Sequence, residues 1–184
     1  DAITLTFTTM TRPTVTKAMY DFIVPDDGTF KEAIAAAAKR TDTSKRFRIF
    51  IKQGAYTMPA DATSTITGSD NVAYPNPITT LNTPNVSIIG EDMDETSIVN
   101  TVPTTLVASQ YGNVNAIEGL GKCETMSLGS GATDTYIQDL TIKNGLADNT
   151  GRGAALEDGS NRTICKNTYL YGYQDTYLSN NSSS

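Results

Sequence analysis

The sequence predicts an all-β fold, a parallel β-helix (a solenoid of stacked coils) with one capping helix near the N-terminus. Three observations predict it. The polar residues are dominated by Thr, Asn and Ser, with 14 Gly and 7 Pro punctuating short apolar runs, a composition of strands and turns rather than helices. Those runs recur, ended by Gly or Asn. Two of them, Tyr136 to Asn144 and Ile164 to Tyr171, align without gaps at an offset of roughly 28 residues, within the period range of solenoids. That alignment places Ile142 over Leu170 and Ile137 over Cys165, as stacked coils burying one apolar column require.

Taken in order, Thr4-Leu5-Thr6-Phe7-Thr8 alternates polar and apolar like a half-buried edge strand, within an N-terminal strand segment 1–23. A helix is predicted over 29–40. Thr29-Phe30-Lys31-Glu32 is a capping box, Ala-rich sequence continues it, and Lys39-Arg40 suits the negative end of the helix dipole. Its apolar face is Phe30, Ile34 and Ala37 or Ala38.

The coils are predicted over 46–181. Phe47-Arg48-Ile49-Phe50-Ile51 leads to Gly54, Val86-Ser87-Ile88-Ile89 to Gly90, with a further run at Ser97-Ile98-Val99-Asn100. Tyr136 to Asn144 then leads to Gly145, and Ile164 to Tyr171 to Gly172. The stretch 57–84 reads as a long loop of the kind that builds a binding face, and Asn side chains can ladder at the bends. An antiparallel sandwich is the competing architecture, but it needs hairpin dipeptides, of which Asn144-Gly145 is the one example.

At 184 residues the chain makes one domain with a sizeable core. Fourteen Lys and Arg against 20 Asp and Glu give −6, a surface that repels nucleic acid and other polyanions. The absence of His excludes a Ser-His-Asp triad and His-ligated zinc, leaving carboxylate, amide, Arg and Lys chemistry. No apolar run is long enough to span a membrane. The opening Asp1-Ala2-Ile3 suits a mature secreted protein or a trimmed chain. Cys123 and Cys165 allow one disulfide, and two buried thiols fit equally well. Asn85-Val86-Ser87 and Asn161-Arg162-Thr163 are glycosylation sequons.

Glu91-Asp92-Met93-Asp94-Glu95 lacks a calcium-ligand spacing and reads as a solvated turn. Lys45, Arg46, Arg48 and Lys52 form a basic stretch, read as a solvent face that could help hold an anionic chain. The most specific local signal is Gly172-Tyr173-Gln174-Asp175-Thr176-Tyr177, where an amide donor stands beside a carboxylate.

With the segments before it, that motif resembles the pectin methylesterase family, carbohydrate esterases built on a right-handed parallel β-helix. Asp27-Gly28-Thr29-Phe30-Lys31-Glu32-Ala33-Ile34 is similar to the family's opening strand and helix. Arg48-Ile49-Phe50-Ile51-Lys52-Gln53-Gly54-Ala55-Tyr56 resembles its Tyr-Ile-Lys-x-Gly-x-Tyr segment. Asn85 to Glu91 and Ile137 to Asn144 resemble the coils that follow, and Gly-Tyr-Gln-Asp-Thr is the most specific match. The resemblance covers nearly everything from about Val24 onward.

It implies hydrolysis of galacturonate methyl esters to pectate and methanol without metal or cofactor. By motif position Asp175 is the acid/base residue and Gln174 an oxyanion donor, with Tyr173 and Thr176 beside the substrate. Arg152 stands where many members carry a further Gln. It either donates to an oxyanion or a galacturonate carboxylate, or is an exposed loop charge. The implied partner is methyl-esterified pectin, with no nucleic acid and no membrane. The implied setting is a secreted monomer, in the periplasm or at the cell surface if bacterial. The family's nucleophilic Asp and orienting Arg have no counterpart here, so the chain is expected to be the N-terminal part of a longer enzyme and inactive alone. A non-catalytic polysaccharide-binding solenoid or adhesin is the first alternative, and a calcium-dependent enzyme like a pectate lyase the second.

Overall fold

The computed structural model describes residues 14–58, 61–67, 71–76, 78–100, 124–145, 153–172 and 175–180. The strand expected at Thr4 to Thr8 lies outside them. In chain order the elements are β1 (Phe22–Val24), α1 (Phe30–Lys39), β2 (Phe47–Ile51), β3 (Gly54–Met58), β4 (Asp61–Thr67), β5 (Ala73–Asn76) and β6 (Thr79–Leu81). There follow β7 (Val86–Gly90), β8 (Thr96–Asn100), β9 (Met126–Leu128), β10 (Tyr136–Asn144), β11 (Leu156–Asp158), β12 (Ile164–Tyr171) and β13 (Tyr177–Ser179).

Most of these strands lie in parallel sheets. Among the described residues, one sheet runs β1-β2-β7-β10-β8-β3 with β12 added on β10, and a second runs β13-β11-β9-β6. The strands follow one another in circuits: β2, β3, β6; then β7, β8, β9; then the two halves of β10 and β11; then the two halves of β12 and β13. Each strand pairs in register with its counterpart one circuit on. This arrangement is consistent with a parallel β-helix. The antiparallel sandwich is not formed.

Register stacks like on like. Ile49 pairs with Ile88, Ile88 with Ile137, and Ile137 with Cys165. On the adjoining face Tyr56, Ile98, Ile142 and Leu170 follow one another. On the second sheet Leu81, Leu128 and Asp158 do so. Ile49, Ile88, Ile98, Ile137, Ile142, Leu81 and Leu128 are all fully buried. Each buried aliphatic side chain contributes about 1.5–3 kcal/mol. The Ile137–Cys165 and Ile142–Leu170 pairs are those expected from the sequence alignment.

β10 serves two faces because it turns a corner. Its first residues pair with β7 and its last with β8, and between them Asp139 adopts a left-handed conformation with φ 51°. Asn167, with φ 45°, makes the same corner in β12 and donates its side-chain amide to Asp139 Oδ1 at 3.0 Å. Asp and Asn tolerate this region better than other residues with a Cβ. The corner presses on the strand below. A Cβ on Gly90 would stand 2.0 Å from the Asp139 carbonyl oxygen, so only glycine fits. A second polar ladder lies inside: Asn100 and Asn144 pair in register, both buried, and Asn144 donates to the Ala154 carbonyl at 2.9 Å.

α1 forms where expected. Thr29 accepts from the Glu32 amide and Glu32 accepts from the Thr29 amide, completing the capping box. Phe30, Ala33, Ile34 and Ala37 face the same core as Val24, Ile49, Ile51 and Leu81, whereas Ala38 is exposed. Extended backbone at Arg40 (ψ 144°) ends the helix.

Two local expectations need correction. The stretch 57–84 is not one loop: it contains the antiparallel pair β4–β5 and the strand β6, which joins the second sheet on β9. Its mixed Thr, Ser and Pro sequence carries no apolar alternation to mark strands. Cys165 is not a buried thiol but a free, exposed one, because β12 is covered by β10 on one side only; Cys123 lies outside the described residues. The basic stretch lies on a solvent face as expected, with Lys45, Arg46 and Arg48 exposed, and several of its charges have partners there. Lys45 meets Asp42, Lys52 meets Asp26, and Arg46 donates to the carbonyls of Val86 and Asp134 and to Ser87 Oγ.

The 91–95 segment is a turn, closed by the Thr96 amide on the Asp92 carbonyl and anchored by Glu91, which accepts from the Gln53 amide. No described helix is long and apolar enough to cross a membrane.

The corner over Gly90 gives a direct stability prediction. Gly90→Ala should lower the free energy of unfolding by about 1–3 kcal/mol, the usual cost of overpacking, read from urea midpoints. An unchanged midpoint would show that β7 and β10 do not approach as described.

Candidate active site

The Gly-Tyr-Gln-Asp-Thr motif occupies the connection from β12 to β13. Its framework is fixed by backbone contacts with the circuit before. The Thr176 carbonyl accepts from the amides of Ala155 at 2.9 Å and Leu156 at 3.2 Å, and β13 continues by pairing with β11. Gly172 is required here. A Cβ at that position would lie 2.3 Å from the Gly153 carbonyl oxygen and 3.1 Å from the Ala155 amide nitrogen. Thr176 closes the connection on itself, its hydroxyl donating to the Gly172 carbonyl at 3.0 Å.

Asp175 sits within this closed connection in a left-handed conformation, φ 50°, and is exposed. The hydroxyl proton of Thr176, expected beside the substrate, is used to close the loop. Tyr173, Gln174 and Arg152 lie outside the described residues. Of the described residues, Gly172 rests on Gly153 and Ala155, and Thr176 on Ala155 and Leu156.

Two other aspartates stand in neighbouring strands, and both are hydrogen-bonded. Asp158 is buried. Its Oδ1 accepts from the Ser160 amide at 3.0 Å and the Ser160 hydroxyl at 2.8 Å, and its Oδ2 from the Tyr177 hydroxyl at 2.9 Å. Asp139, expected to face solvent, is half-buried at its corner, accepting from Gln138 at 2.6 Å and from Asn167. Each serves the scaffold.

Tyr177 was not singled out by its sequence position beyond closing the motif, yet it ties β13 to β11. Its residue is 48% exposed, but the hydroxyl end reaches the buried Asp158 carboxylate. Desolvation of that end, with the hydrogen bond to Asp158, pushes the phenol from its ordinary 10.0 to about 12. The signal for it is visible only in space, because Tyr177 and Asp158 are joined by adjacent rungs rather than by a motif.

Among the described residues, cavities also lie away from this connection. One of about 500 Å³ is lined by Val24, Pro25, Phe30, Tyr56 and Met58 beside the helix, sharing no residue with the 172–176 connection. No cluster of His, Cys, Asp or Glu suited to a metal ion occurs among the described residues.

No protein-family model matches the chain, and no curated protein matches it. Solved structures do match. A pectin methylesterase in complex with a hexasaccharide superposes with a TM-score of 0.58 at 22% identity, over 87% of this chain and 45% of that one. The likeness is one of fold. Pectin methylesterase PemA from Erwinia chrysanthemi gives 0.56 at 22% identity, over 87% of this chain and 45% of that one. The enzyme from carrot gives 0.57 at 20%, over 85% and 40% respectively. The chain thus spans less than half the length of the pectin methylesterases it matches.

The Tyr177–Asp158 tie predicts an alkaline signature. A phenol whose pKa is raised by folding contributes stability that is fully present below its ordinary pKa and is lost as pH climbs through the folded value. The protein should therefore lose stability between about pH 10 and about pH 12, and Tyr177→Phe should lose less over that window. Urea midpoints at the two ends of the window measure it. An equal loss in parent and variant would remove Tyr177 from this role.

Proposed function

We propose that this chain carries the acid/base half of a pectin methylesterase-type site, hydrolysing methyl esters of polygalacturonate to pectate and methanol. The observation that carries the reading is an exposed Asp175 on a connection locked at both ends, within the fold shared with pectin methylesterases. The finer architecture in this reading is a right-handed β-helix whose N-terminal end is closed by α1.

In the reaction a carboxylate oxygen attacks the ester carbonyl carbon, and the carbonyl electrons move to oxygen. Gln174, beside Asp175, donates to that oxyanion; an aimed donor of this kind is worth about 3 kcal/mol. Asp175 gives its proton to the departing methoxide, which leaves as methanol. Its carboxylate then takes a proton from water, which attacks the acyl intermediate and restores the first carboxylate. Arg152, Tyr173 and Thr176 flank this position as substrate-binding residues. No metal or cofactor enters the scheme, and the setting is extracellular, with the protein acting as a monomer on esterified pectin.

The attacking carboxylate must come from elsewhere than Asp139 or Asp158. Using either would break a corner ladder or the tie that holds β13. That same observation favours a second reading, a non-catalytic polysaccharide-binding protein on this scaffold.

Methanol release from highly esterified pectin separates the two. In the native polypeptide Asp175→Asn should lower the rate by about a hundredfold or more, the usual contribution of a positioned acid/base group. The 184-residue chain alone should release no methanol above background. Pectin binding by the native polypeptide without methanol release would replace the esterase reading with the binding one.

A further inference from the structure

The turn that leaves α1 gathers three cations around a guanidinium whose donors are not all matched. Arg40, which caps the C-terminal end of the helix, lies 5.9 Å over the Phe47 ring and donates through Nη2 to the Pro84 carbonyl. Its Nε and Nη1 are closed off from solvent and meet no acceptor among the described residues. Buried donors left in this state are rare in folded proteins, and each calls for a partner. Beside the guanidinium opens a cleft of about 340 Å³, lined by Arg40, Lys45, Arg46, Asp21, Asp42 and Phe47.

The two carboxylates of the cleft are engaged elsewhere. Asp21 accepts from the Arg48 amide at 2.7 Å. Asp42 accepts from the Ser44 amide at 3.1 Å and hydroxyl at 2.6 Å, and meets Lys45 at 3.4 Å. The negative end of α1 favours cations in this turn, yet it gives Arg40 Nε and Nη1 no carbonyl. Three cations against two carboxylates leave a local positive surplus on a protein of net charge −6.

A ligand for this cleft must bring negative charge and several oxygen acceptors in a small volume. Guanidinium and ammonium groups placed around one space suit the tetrahedral oxygens of phosphate or sulfate better than the flat pair of a carboxylate. We propose that the cleft of Arg40, Lys45 and Arg46 binds one small tetrahedral oxyanion of the phosphate or sulfate class. Arg40 rotates its enclosed donors toward the space it already lines, and Lys45, its side chain 84% exposed, closes over the ligand. The anion so held ties the turn after α1 to the segment before β7, which Arg40 already reaches at Pro84. The site shares no residue with the 172–176 connection and stands independently of the esterase reading.

Isothermal titration of the 184-residue chain with inorganic phosphate, in chloride buffer at fixed ionic strength, tests it. One phosphate should bind per chain, sulfate should compete with it, and acetate should bind about tenfold more weakly. Urea midpoints should rise with phosphate, the ratio of folded to unfolded protein growing about tenfold at ten times Kd. Arg40→Gln, which keeps a donor for Pro84, should lower the affinity about tenfold. Lys45→Gln should lower it up to about fivefold, as an exposed charge allows. Lys39→Gln, on the exposed end of α1 outside the cleft, should bind like the parent.

Circular dichroism checks that the variants fold, and Lys45→Gln decides the matter if Arg40→Gln does not. Phosphate that binds no better than chloride would overturn the site. So would acetate that matches phosphate, or a folded Arg40→Gln that binds like the parent. A loss in Lys39→Gln as large as in Lys45→Gln would replace the cleft with general charge attraction.

Discussion

Everything in this molecule depends on keeping one rung directly over the next. Parallel strands in register require inward side chains of similar volume at matching positions, and the Ile49–Ile88–Ile137 and Ile98–Ile142–Leu170 columns supply them. The stack would be a flat sheet without corners. Left-handed Asp139 and Asn167 bend their strands so that each covers two faces, and Gly90 gives the bend room. Remove the corner, and the two columns cannot belong to one core.

The candidate site inherits its geometry from the same rule. One residue beyond the Lys143–Tyr171 pair, the circuit that carried a buried Asn144 carries Gly172 instead, and the backbone of Gly153 closes against it. The connection that follows is short, internally bonded through Thr176 and seated on Ala155 and Leu156. Asp175 therefore stands between two anchored residues, Gly172 and Thr176. The nearby buried Asp158 is held by Tyr177 and Ser160, a different fate for the same side chain set by its surroundings.

Long apolar elements were legible in the sequence. β2, β10 and β12 begin and end where their apolar runs do, and for β10 and β12 the 28-residue alignment gives the register as well. α1 was legible through its capping box. The three-residue strands β6, β9, β11 and β13 were not, because three residues hold too little pattern to distinguish from a turn. The β4–β5 pair was hidden in polar sequence for the same reason.

At the candidate site, the motif drew attention to Asp175, yet nothing local shows that Gly172 packs against Gly153 or that Asp158 is bound by Tyr177. Those are contacts between circuits. The exposure of Cys165 is likewise set by which strand lies beyond it, not by its own strand pattern.

The central claim is that the connection between β12 and β13 is where esterified pectin meets this fold. It is tested most directly by backbone amide NMR of the isotope-labelled chain titrated with a fully methyl-esterified oligogalacturonide. The account predicts that the largest shifts cluster at 153–155 and 172–176. Shifts confined to the cavity beside α1, or the absence of any shift at saturating ligand, would contradict it.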